Sequence, residues 1–153
     1  MRNSIIGVVI GVLVLFVSLI VLPSYFIGII NWRTDMNKCQ SAARNFVDMV
    51  IDNGQVSDRA LSDLNLSVAS CSSTFTYEYY REERVTNPDP NTAGEVIVEW
   101  VHTDVDKDTN WRTGDLVTIV ITQTNPNMFQ RVSSMLLGTS YNNMEIRLTG
   151  MVR

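Results

Sequence analysis

Residues 5–30 read IIGVVIGVLVLFVSLIVLPSYFIGII, a run without a charged side chain, broken only by Gly7, Gly11, Ser18, Pro23, Ser24, Tyr25 and Gly28. An uncharged apolar run well beyond eighteen residues is the pattern of a membrane-spanning helix. At about 1.5 Å per residue it would reach roughly 39 Å, against about 30 Å of hydrocarbon, so part of it must tilt or protrude. Pro23 stands where the densest Val/Leu/Ile packing ends, and a proline removes a backbone donor and usually kinks a helix. The reading is a span over Ile5–Leu22, with Tyr25, Phe26 and Trp32 at the headgroups, where amphipathic rings are enriched. A cleaved secretory signal fits less well, because its apolar region is about 7 to 15 residues and ends at a small-x-small site. Only Arg2 precedes this run, and no Ala-x-Ala-like site follows it. The expected organisation is a retained anchor, residues 1–32, and one domain, residues 33–153.

The acidic residues all follow Asn31, and Arg2 is the only basic residue before it, so the domain is more acidic than the whole-chain net charge of -4. That balance argues against nucleic acid as a partner and against tight docking on anionic lipid. Orientation draws on two opposed signals. Arg33, Lys38 and Arg44 follow the span, which by the positive-inside rule favours a cytoplasmic domain. The cysteine pair and the Thr/Tyr-rich strands suit export, and those basic residues sit on a helix that belongs to the folded domain. The expectation adopted is a single-pass protein of the cell membrane, N-terminus inside, with its domain on the extracellular face.

From Asn31 to Asp52 the pattern turns amphipathic, with Met36, Cys39, Ala43, Phe46 and Val50 spaced 3-4-3-4. One helix therefore runs from the apolar segment into the domain, and Asn53-Gly54 should stop it. Ser57 caps a short helix over Arg59–Leu64, ending near Asn65. Strands follow over Thr74–Arg84, with the period of a half-buried strand, over Glu95–Thr103, with Val96, Val98 and Trp100 on one face and Ile97 and Val101 on the other, and over Asp115–Thr124, with Val117, Ile119 and Ile121 aligned. Asn125 as cap and Pro126 as first residue should open a helix that Gly138 closes. A last strand covers about Asn143–Val152. The fold class expected is α+β: a long N-terminal transmembrane helix continuing into an amphipathic helix packed on a small antiparallel sheet.

Little in the chain points to catalysis. His102 is the only histidine, and no Gly-x-Ser-x-Gly, phosphate loop or His-Glu-x-x-His occurs. Asp104, Asp106, Asp108 and Asn110, with Asp115 further on, place carboxylates at alternate loop positions. That is either a Ca²⁺ site or a solvated hairpin loop; the EF-hand glycine position is Thr109, and the twelfth position is Asp115 rather than Glu. No other cofactor is expected. Gly7-Val-Val-Ile-Gly11 is a GxxxG pattern that lets a second helix approach, and Pro23 marks the end of that packing surface. Tyr80 lies on the strand face opposite Tyr77 and Tyr79 and is a candidate partner contact. Cys39 and Cys71 have no metal-type spacing; in an exported domain they read as a disulfide, in the cytosol as two buried thiols.

The plan of one N-terminal helix against a small sheet looks pilin-like. More narrowly, ARNFVDMVIDNGQVS (Ala43–Ser57), GDLVTIVITQTNP (Gly114–Pro126) and RLTGMV (Arg147–Val152) resemble the TadE-like pseudopilins of tight-adherence pilus systems, in forms from Gram-positive bacteria. The resemblance covers most of the domain and implies a non-enzymatic envelope protein, a structural or assembly subunit of a thin adhesive pilus. Its partners would be other pilin-like subunits, met through the N-terminal helix, and the membrane, with homo-oligomers among the assemblies. The chain departs from type IV prepilins in having no short basic leader ending in Gly and no glutamate before Glu78. The rival reading is a membrane-tethered extracellular binding module that enters no filament.

Overall fold

The computed structural model describes residues 2–88, 92, 95–105, 110–138, 140, 141 and 143–153; of residues 2–4 and 104 it describes the backbone alone. One helical rod opens the chain: α1 (Arg2–Phe16), a π-turn (Val17–Val21) and α2 (Leu22–Asn53) follow one another without interruption. The π-turn is the local answer to Pro23. A proline lacks the N–H for the i−4 bond, and its ring crowds that carbonyl. Here the wide turn comes just before it, with Leu22 N–H donating to the carbonyl of Val17, five residues back. Pro23 then sits in the first turn of α2, directly after the widened turn.

The lower part of the rod is bare: Ile5 to Phe16 are exposed throughout, and so are Leu19, Ile20, Leu22, Phe26, Ile27 and Ile30. It is long and apolar enough to cross a membrane. The upper part buries Asp35, Cys39, Ala42, Ala43, Phe46, Val47 and Val50. The expected stripe is thus present, widened by Ala42 and Val47 because α2 serves two neighbours, α3 (Asp58–Ala69) and the sheet. Gly54 ends α2 in the left-handed conformation, φ 63°, its N–H donating to the carbonyl of Val50. No structural break occurs at residue 32; α4 already covers the rod at Tyr25, and Gly28 is the first buried residue along it.

Four strands form one antiparallel sheet in the order β2-β1-β3-β4, with β1 Phe75–Pro88, β2 Val96–Asp104, β3 Leu116–Gln123 and β4 Glu145–Met151. The fold is α+β. Its inner face carries Phe75, Val117, Ile119, Ile121 and Ile146, packed with the α2 stripe and with Ala60, Leu64 and Val68 of α3. Gly150 is where α2 presses closest on β4: a Cβ there would lie 2.5 Å from Val47 Cγ1 and 2.7 Å from Ile51 Cδ1.

Three element bounds differ from the sequence reading. The short helix runs past Asn65 to Ala69, because Val68 continues the four-residue spacing of Ala60 and Leu64 into the core. The first strand reaches Pro88, since its far half pairs with β2 as far as Pro88 opposite Val96. The cap of α4 (Met128–Leu137) is Asn127, and neither Asn125 nor Pro126 belongs to the helix. Asn127 Oδ1 accepts from Gln130 N at 2.9 Å while Gln130 Oε1 accepts from Asn127 N at 2.8 Å, a reciprocal capping box that satisfies two donors at once. Gly138 closes α4 at φ 64°, as expected.

Candidate functional site at the base of the domain

Two turns of α2 tie the rod to the domain. Around Asp35 the helix seizes the loop between α3 and β1. The buried carboxylate accepts from Ser72 N (2.9 Å), Ser72 Oγ (2.6 Å) and Ser73 N (3.0 Å). Lys38 Nζ donates to the carbonyl of Ser70 at 2.8 Å. One turn further, Cys39 Sγ lies 3.7 Å from Cys71 Sγ. The sequence-predicted cysteines are therefore brought together, as two thiols rather than a bridge, which would need about 2.05 Å. Burial, then the neighbouring Cys71, pushes the Cys39 thiol from 9.0 up to about 12. Burial also raises Cys71, which lines an open groove with Val68, Phe75 and Tyr77.

Below this junction α4 meets the rod at Gly28. A Cβ at Gly28 would stand 2.8 Å from Phe129 Cβ, so only glycine admits this approach. The Phe129 ring lies between Tyr25 (centroids 5.1 Å apart) and Trp32 (6.2 Å). Ser133 Oγ donates to Tyr25 Oη at 3.4 Å. The same first turn of α4 is held to the sheet by a buried amide pair: Gln123 Nε2 donates to Gln130 Oε1 at 2.8 Å, and Gln130 Nε2 to Gln123 Oε1 at 2.9 Å. Gln123 also donates to the carbonyl of Asn125 and accepts from Met144 N.

The remaining sequence candidates are scattered. Gly7 and Gly11 have nothing within 4 Å of where a Cβ would stand, so both face open space, and Pro23 is exposed. Tyr80 lies on the outer sheet face as expected, but is half-buried: its ring sits 4.1 Å from that of His102, and the Arg147 guanidinium 5.8 Å above it. Asp106 and Asp108 lie outside the described residues, as does the side chain of Asp104; Asn110 is exposed. Asp115 is buried. Its carboxylate accepts from Arg112 N at 2.7 Å and stands 3.2 Å from Arg81 Nε, a charge contact with an angle too poor for a hydrogen bond. Among the described residues no group of three or more His, Cys, Asp or Glu side chains converges as for a metal.

Sequence reading missed Asp35, Gly28 and the Gln123–Gln130 pair. Each left a signal. Asp35 is an acid on the apolar stripe, four residues before Cys39; Gly28 lies between Tyr25 and Trp32 at helical spacing; Asn127-x-x-Gln130 is a capping-box pattern. Comparison with protein-family models, curated proteins and solved structures finds no match to this chain.

Proposed function

We propose that this chain is a membrane-anchored, pilin-like structural or assembly subunit of a bacterial tight-adherence or type IV-like pilus, non-enzymatic, with its domain outside the cell. The observation that carries the reading is the unbroken rod. Its upper half is built into the core of an α+β domain, while its lower half is bare on every side, with Gly7 and Gly11 open to a close-packing neighbour. Such a helix serves at once as anchor and as contact surface for the helices of other subunits. Photocrosslinking from positions 7–16 in intact cells, together with isolation of surface filaments, should recover this chain joined to other pilus components. Recovery only as a free monomer would overturn the proposal.

A tethered binding module is the second reading, and β2 favours it. Val96, Ile97, Val98, Trp100 and Val101 are exposed although they alternate between both faces, and no helix touches this strand among the described residues. Replacing residues 5–22 by an unrelated span separates the two: a module keeps its function, whereas a subunit that packs through its helix loses it.

A further inference from the structure

Apart from Leu66, Tyr141 and Met151, the exposed large apolar side chains of the described residues gather in three places: the bare rod, β2, and α4, where Met128, Met135, Leu136 and Leu137 are 59%, 87%, 75% and 73% exposed. The third group differs from the second in where it points. Phe129 meets the rod at Gly28, while Ser133, one turn later in α4, meets Tyr25, which lies earlier in α2. The two helices therefore run antiparallel here, and α4 descends toward the bare apolar segment. At about 1.5 Å per residue, Met135 to Leu137 lie up to about 9–12 Å past Phe129. That carries them to the level of the last apolar residues before Pro23.

We propose that α4 is a second membrane-contacting element, whose last turn, Met135-Leu136-Leu137, enters the lipid of the leaflet adjoining the domain. The inference rests on the anchoring part of the function proposed above, and on nothing about pili. The occupant is lipid because the patch continues a surface already suited to lipid: it lies beside the uncovered rod, at its level. Tyr25 and Trp32 flank Phe129, rings of the kind that gather at the interface, and exposed Arg131 and Arg33 lie on either side of that crossing, within reach of headgroups. The direction of α4 is also built in. Its first turn is locked to the sheet by the Gln123–Gln130 pair and its own capping box, and its flank is locked to the rod by the approach at Gly28. Depth is limited by the end of the helix, because the last carbonyls before Gly138 have no partners within α4 and must stay within reach of water or headgroups. The element is thus a shallow interfacial wedge.

The test uses the full chain reconstituted in phosphatidylcholine–phosphatidylglycerol vesicles doped with a phospholipid carrying a diazirine in its acyl chain. After photolysis, mass spectrometry of the peptides should place lipid adducts on the apolar rod and also on Met135–Leu137. Met135→Glu with Leu136→Glu should cut the α4 adducts at least fivefold while those on the rod persist; both side chains are exposed, so an unchanged melting curve in detergent verifies the fold. Adducts on the rod with none on α4 would overturn the inference and leave the anchor standing. So would links to a second copy of the chain, in place of lipid, from a photoreactive diazirine residue substituted at Leu136. Absence of adducts from the rod itself would overturn the anchor, and the inference with it.

Discussion

A single carboxylate, Asp35, holds three donors from the loop before β1, two of them backbone N–H groups that have no other visible use. Hydrogen bonds to a charged acceptor are the stronger kind, and buried donors left unmet add their own desolvation cost. Asp35→Ala should therefore destabilise the folded chain by about 3 kcal/mol in urea unfolding in detergent, with Asp35→Asn recovering part. The thiols four residues on give a pH dependence. Below pH 9.0 folded and unfolded chains both keep the Cys39 proton, and stability is whole; above it the unfolded chain ionises first, so stability falls until the folded thiol ionises near about 12. A melting series on the reduced chain should show this alkaline decline, and Cys39→Ala should flatten it. If the domain lies outside the cell as proposed, the two thiols should be joined in protein taken from intact cells, and no maleimide should label them until a reductant is added. Labelling without reductant would place the domain in the cytoplasm.

At the scale of elements, periodicity was a sound guide wherever a face is buried in the core. The α2 stripe, the alternation of β1 and β3, and the glycine stops at Gly54 and Gly138 were all legible. It failed where tertiary contacts set the outcome. β2 carries apolar side chains on both faces, yet it pairs only with the outer half of β1, beyond the reach of either packing helix. Two tryptophans expose the difference: Trp111, 6% exposed, is core, and Trp100, 45% exposed, is not. Trp111→Ala should cost roughly 3–5 kcal/mol and Trp100→Ala less than about 1 kcal/mol, read from denaturant midpoints. No periodicity announces that α4 folds down onto the rod, since that depends on one missing side chain. Gly28→Ala should push Phe129 away at a cost of about 1–3 kcal/mol. Amide hydrogen exchange should then quicken across α4 and leave β3 unchanged.

The whole molecule has no tether. A flexible linker would let a domain swing freely about its apolar helix, whereas here the helix that leaves the apolar segment is the one the domain is built around. Height above the bilayer and compass bearing around the helix are therefore one variable, as they are for a nut on a screw. A single residue inserted within the π-turn would raise the domain by about 1.5 Å and swing it by about 100°, whereas four would raise it by about 6 Å and return it to within about 40° of its original heading. Any neighbour that recognises both the apolar helix and the domain must read the two in register, so single insertions should abolish such a joint contact and four-residue insertions should partly restore it. Crosslinks between the domain and its neighbours, scored across an insertion series, would trace that thread.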